Sequence, residues 1–200
     1  MKRRKIRSLS VSEIGMGCMG FSHGYGQVPG AGYAEEAIRE AFGYGCNFFD
    51  MAEGYGKELY YPGHNEEIVG RAVRGFRNEV VIATKLHIRP EAVEDCGSVY
   101  AAIRRHLERS LKNLQTDNVD LYYLHRINME VDYLEVAHAM GRLIQEGLVR
   151  EWGISAVDKA QLEAAHAVTP VGAVQNIYSM VERTSEKDRS EERRVGKECR

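Results

Sequence analysis

The sequence predicts an α/β protein built on a parallel sheet. Three observations predict it. Short apolar runs alternate with longer amphipathic ones, the apolar runs recur roughly every 30–40 residues, and a polar group stands at the C-terminal end of each of five of them. Such alternation calls for βαβ crossovers and leaves two architectures open, a barrel and a doubly wound sheet.

The elements follow in order. Residues 14–19 are apolar and Gly-rich, and a loop rich in Gly and Pro covers 22–32. Ala34, Ala37, Ile38, Ala41 and Phe42 stand at helical spacing within 34–44, and Gly45 supplies a stop. Asn47-Phe48-Phe49 reads as a short buried strand, and Asn65 stands where it can cap a helix carrying Ile68, Val69, Ala72 and Val73. Residues 80–83 are β-rich and apolar on both faces, the pattern of a parallel sheet. Ile103, Leu107, Leu111 and Leu114 mark a helix over 99–114, and 119–124 is the next strand. A helix over 133–146, a strand over 149–154, a helix over 159–167 and a strand over 171–174 complete the series.

Two hundred residues suffice for one sizeable domain. The formal net charge of −2 provides no pull toward nucleic acid or an anionic membrane. Lys2, Arg3, Arg4, Lys5 and Arg7 make a basic start with no apolar segment behind it, which reads as a solvated first strand. No run is long and apolar enough to span a membrane. Cys18, Cys46, Cys96 and Cys199 lack metal-ligand spacing, and Cys18 and Cys46 sit in apolar stretches as small core residues. A cytoplasmic domain with reduced thiols is expected.

The five strand ends deliver Asp50, Lys85, His125, Ser155 and Gln175. Each has a plain reading alone: an Asp there caps a turn, and a lone Lys or His is solvated. Independent accidents would not place Asp, Lys and His at equivalent positions on consecutive strands, and in a parallel barrel that edge is where active sites are built. Tyr55 follows Asp50 by five residues. With the Lys85 ammonium beside it, the phenol is expected to fall below its usual value and serve as a proton donor. Asp50 would orient Lys85, and His125 would donate to the same carbonyl oxygen. No side chain supplies a hydride, so a nicotinamide cofactor is implied, and no GxGxxG follows a strand.

These stretches resemble the aldo-keto reductase family. The resemblance rests on Phe48-Phe49-Asp50-Met51-Ala52-Glu53-Gly54-Tyr55-Gly56, Asn65-Glu66-Glu67-Ile68-Val69-Gly70, Val80-Val81-Ile82-Ala83-Thr84-Lys85 and Leu111-Lys112-Asn113-Leu114 with Val119-Asp120-Leu121-Tyr122-Tyr123-Leu124-His125. Gln145-Glu146-Gly147-Leu148-Val149-Arg150 and Trp152-Gly153-Ile154-Ser155 continue it, in order, over roughly residues 5–185. It implies a (β/α)8 barrel of the TIM type and NADPH-dependent reduction of a small-molecule aldehyde or ketone. The catalytic set would be Asp50, Tyr55, Lys85 and His125. Ser155 and Gln175 would hold the nicotinamide carboxamide, Tyr178 would lie near the ring, and Gly17, Cys18 and Met19 would approach the cofactor along with Asp50. Ala156 departs from the family, which often has Asn or Arg there, so one carboxamide contact is expected to be missing.

About six βα units are visible where the barrel needs eight, so residues 1–185 read as an incomplete barrel. Residues 186–200 are almost wholly charged and read as a disordered tail, non-native because the stretch from Arg189 resembles a translated sequencing adapter. Three alternatives stand beside the reductase. One is a cofactor-binding regulatory subunit of the same fold, like the potassium-channel beta subunits; another is an inactive truncated product. The third is a metal-dependent hydrolase using His23, His64, His87 and His125.

Overall fold

Seen in a computed structural model, which describes residues 1–23, 26–183 and 186, the apolar runs become eight strands and the amphipathic runs six helices. The tail assigned to 186–200 lies outside the described residues apart from Glu186. The basic start is the solvated strand expected, with Lys2, Arg3, Arg4, Lys5 and Arg7 all exposed, and it is one half of a hairpin. β1 (Arg3–Ile6) and β2 (Leu9–Ser12) form an antiparallel hairpin with Ile6 opposite Leu9. Its apolar side, Ile6, Leu9 and Val11, packs on Val81, Ala83, Leu121 and Tyr123. The turn is pinned to a distant strand: Ser8 donates through N–H and hydroxyl to Glu151 Oε1 at 3.1 and 2.7 Å, and Arg7 pairs with Glu151 Oε2 at 3.1 Å. The hairpin thereby covers the N-terminal ends of the remaining strands.

Those strands are β3 (Met16–Gly17), β4 (Phe48–Asp50), β5 (Val81–Leu86), β6 (Val119–Leu124), β7 (Val149–Ser155) and β8 (Ala173–Gln175). They pair in parallel and in chain order, β3 to β8. A doubly wound sheet reverses its strand order at a switch point, and a barrel does not. The order therefore decides between the two architectures: the fold is an incomplete (β/α) barrel of the TIM type. Among the described residues β3 and β8 each have a single neighbour in the sheet.

Helices α1 (Ala31–Gly43), α2 (His64–Val73), α3 (Pro90–Cys96), α4 (Val99–Leu114), α5 (Tyr133–Gln145) and α6 (Lys159–Val168) cover the outer face. α4 starts where the Ser98 hydroxyl accepts from Ala101 N–H, α5 where Asp132 accepts from Leu134 N–H, and α6 with an Asp158–Gln161 capping box. Short α3 has no counterpart among the expected helices, although Pro90 at its start and the left-handed Gly97 at its end are ordinary boundary signals. Asn65 does not cap α2. That position belongs to Gly63, and the Asn65 amide donates instead to the Cys18 carbonyl at 2.9 Å and the Ser22 hydroxyl at 3.0 Å. The residue staples the β3 exit to α2.

Alternation along the strands separates two cores. Phe49, Ile82, Tyr122, Leu124, Trp152 and Ile154 point outward against the helices. Val81, Ala83, Leu121 and Tyr123 point inward, joined by Phe48 and Ala173. Continuing each strand by its period of two turns Asp50, Lys85, His125, Ser155 and Gln175 inward at the C-terminal edge. Among the described residues no helix is long and apolar enough to cross a membrane. Cys18, Cys46 and Cys96 are free thiols, the first two buried.

Candidate active site

Lys85 is the organising group. Its side chain is 1% exposed, and its ammonium donates to Asp50 Oδ1 and, at 2.7 Å, to the Met51 carbonyl. A cation so deeply buried needs this pairing, because an uncompensated charge there would be costly. The second carboxylate oxygen of Asp50 accepts from the Gln175 amide at 3.0 Å, so Asp50 links β5 to β8 across the interior. The Asp50 carbonyl accepts from Cys18 N–H at 2.7 Å, which fixes the backbone that leaves β3.

Tyr55 reaches the same place from the loop after β4. The Lys85 ammonium lies 5.3 Å from its ring centroid, and the His125 ring stands edge-on to it at 5.7 Å. His23 lies parallel to the phenol on another side, at 6.3 Å. The expected drop in the Tyr55 pKa does not occur. Burial raises it, Lys85 pulls down less strongly, and Asp50 adds to the rise. Tyr55 is a phenol that stays protonated through neutral pH.

His125 is held neutral. Burial, then the Lys85 charge, then His87 and Arg126 drive its pKa down from 6.5 to about 3. Its Nδ1 is buried without a partner among the described residues, and the His87 ring packs on it at 4.4 Å. A neutral imidazole can donate to an oxygen without carrying charge. Between its ordinary value and about 3 the unfolded chain binds a proton that the folded ring refuses, so His125 makes stability fall as the pH drops through that window. Replacing His125 by Gln should flatten the acid side of the stability curve. A proton-resonance titration of the wild-type ring should show no midpoint above pH about 4; a midpoint near 6 would contradict the assignment.

The residues expected at the cofactor are dispersed along the same rim. Gly17 ends β3 with open space where a Cβ would stand, and Cys18 and Met19 follow it into a short 3-10 turn. Ser155 ends β7, buried, opposite Gln175 in the register. The Tyr178 hydroxyl bonds Glu186 at 2.5 Å. Ala156 adopts φ 55° with its N–H on the Gln175 carbonyl at 3.0 Å. That left-handed backbone suits Asn better than Ala, so Ala156 carries strain.

A model of the aldo/keto reductase family matches residues 13–198. The chain belongs to that family. It is 33% identical over 186 residues to probable aldo-keto reductase 1 of Glycine max, covering 91% of this chain and 52% of the relative. It is 36% identical over 182 residues to the Schizosaccharomyces pombe aldo-keto reductase yakc, whose name carries NADP(+), covering 88% and 52%. Among solved structures it resembles the thermostable aldo-keto reductase Tm1743 in complex with the inhibitor epalrestat, with TM-score 0.80, 30% identity, and 94% of this chain and 66% of that one covered. An aldo/keto reductase of Klebsiella pneumoniae in complex with NADP and acetate gives TM-score 0.74 and 31% identity, over 90% and 59%. The chain thus spans about half the length of the curated relatives it matches.

Within this aldo/keto reductase chain, two neighbours of the site escaped the sequence. His87 reads in the sequence only as a metal ligand, yet its ring packs on His125, two strands' ends brought together by the β5–β6 pairing. Glu53 carried no signal beyond its place in the Asp50–Tyr55 loop. Of the four histidines of the hydrolase alternative, His87 and His125 pack together, whereas His64 bonds Ser22 and His23 meets Glu58. Among the described residues no three His, Cys, Asp or Glu side chains group as a metal site. A cleft of about 870 Å³ opens beside the cluster, lined by Glu53, His87, Glu66 and His106 among others, and Asp50, Tyr55, Lys85 and His125 do not line it.

Proposed function

We propose that this aldo/keto reductase is an oxidoreductase that reduces aldehydes or ketones to alcohols with NADPH, acting in the cytoplasm. The convergence of Tyr55, Lys85, Asp50 and His125 at one strand edge carries the reading. The NADP-bound Klebsiella relative supports the choice of cofactor.

The residues present fit a nicotinamide. Gly17 leaves open space beside Asp50, and Gln175, with its N–H on Asp50, keeps a carbonyl oxygen that can accept from a carboxamide. Ser155 lies next to it, and Tyr178 stands three residues past Gln175 for the ring face. NADPH, when bound, supplies the hydride to the carbonyl carbon. Tyr55 gives its hydroxyl proton to the carbonyl oxygen as negative charge grows there. His125, neutral, steadies that oxygen by a hydrogen bond, and Lys85 stabilises the phenolate left behind. Asp50 keeps the lysine aimed at the phenol.

The test uses NADPH deuterated at the transferable position and para-nitrobenzaldehyde, with a panel of small aldehydes and ketones. Oxidation of the cofactor with deuterium on the carbinol carbon is the expected result. Tight NADPH binding with no turnover across the panel would overturn it and favour a regulatory subunit.

A further inference from the structure

Between Asp50 and Tyr55 lies a carboxylate that touches none of the four catalytic side chains yet meets the backbone or neighbour of most of them. Glu53 N–H donates to the Lys85 carbonyl at 3.2 Å, and Gly63 N–H donates to the Glu53 carbonyl at 2.8 Å. Its side chain turns the other way. Oε1 accepts from His87 N–H at 2.9 Å, and Oε2 lies 2.8 Å from His106 Nδ1 on α4. Arg109, one turn further along α4, comes within 3.1 Å of the same nitrogen.

The Glu53 and His106 side chains are 17% and 14% exposed, so the bond between them holds both in largely packed positions at the edge of the cleft. Three elements meet on one carboxylate: the loop bearing Tyr55, the β5 exit bearing Lys85 and His87, and α4. His87 in turn packs its ring on His125 at 4.4 Å, and Tyr55 meets His125 at 5.7 Å. The position of the phenol relative to the imidazole thus depends on two paths, and Glu53 lies on both.

We propose that Glu53, anchored by His106, is a positioning residue that sets the Tyr55–His125 geometry through the loop and through His87. This deepens the reductase reading and rests on it. Misplacing a reacting group by about 1 Å can cost on the order of 100-fold in rate. Glu53→Ala should therefore lower kcat about 100-fold while the KM for NADPH stays unchanged, since no Glu53 contact faces the cofactor rim. Glu53→Gln keeps an oxygen for His87 N–H and should restore kcat to within a few-fold. His106→Leu should show a smaller loss, and the double variant Glu53→Ala/His106→Leu should be no worse than Glu53→Ala alone, because the two act as one unit.

The same variants are read without turnover, by the ring-proton resonances of His87 and His125 in the 200-residue chain. Glu53→Ala should move both, and Glu53→Gln should leave them in place. If the wild type reduces no carbonyl, the reductase reading fails and the resonances still decide the role of Glu53. Should Glu53→Ala fail to fold, His106→Leu decides alone. Unmoved resonances with unchanged kcat, in whichever of these variants folds, would overturn the proposal, as would an equal loss in Glu53→Gln and Glu53→Ala.

Discussion

Replacing Tyr55 by phenylalanine is expected to lower carbonyl turnover about 1,000-fold and to leave NADPH affinity unchanged. The substitution removes one oxygen and keeps a ring of the same shape between His23 and His125, at 6.3 and 5.7 Å. Nothing in the Asp50–Lys85–Gln175 chain of bonds runs through the phenol oxygen. The loss therefore falls on the chemical step. Because burial holds the wild-type phenol protonated, the donor is present across neutral pH, and the variant has no hydroxyl to supply the proton. Steady-state rates with fluorescence titration of NADPH check both halves. Turnover within tenfold of wild type would remove Tyr55 from its assigned role.

The largest effect on stability is expected from Gly70→Ala. A Cβ at Gly70 would stand 2.6 Å from the carbonyl oxygen of Leu114 and 2.8 Å from its Cα, and backbone at the end of α4 cannot swing aside as a side chain can. The seam between α2 and α4 carries more than this contact. Glu66, fully buried one turn before Gly70, accepts from Asn113 at 3.0 Å and from Thr84 on β5 at 2.7 Å. Forcing the helices apart strains those bonds beside Lys85. A loss of about 3 kcal/mol is expected from overpacking of this kind, or about 6–12 °C in Tm for a domain of this size. Gly32→Ala, in α1 with open space around it, should be neutral or stabilise by up to about 1 kcal/mol. Thermal melts of the two variants side by side make the comparison. Equal melting temperatures would mean that the α2–α4 seam yields without cost.

Much of this architecture is written in local pattern. The helix over 99–114 and the strand over 119–124 are found at those bounds, because each has uninterrupted periodicity and a clear boundary residue. The inward set at the strand ends follows from a period of two, a property of one strand at a time. What escaped depends on contacts between distant segments. Leu9–Ser12, four residues of which two are serine, becomes a strand because Ile6 and Leu9 find Val81 and Leu121. Asn65 carries the residue type of a cap but meets Cys18 across a gap of 47 residues. Tyr55 is less acidic than its charged neighbour suggests, since the sequence displays Lys85 and conceals the desolvation that outweighs it. His87 and Glu53 were invisible as a pair for the same reason: one backbone N–H joins them, and no motif records it.

The bond from Gln175 to Asp50 sets an order of events during synthesis. Asp50 and Lys85 are 35 residues apart, whereas the Gln175 contact closes a span of 125. A ribosome adding about 5–20 residues per second needs about 5–18 s for the 90 residues between Lys85 and Gln175. Through that interval both partners of the ion pair exist, and the Gln175 amide that takes the second carboxylate oxygen does not. Long-range closure is the slower entropic step, so the last polar contact of the site waits on the arrival of β8. The carboxylate of Asp50 is therefore the one group of the site whose two oxygens are claimed by segments made many seconds apart.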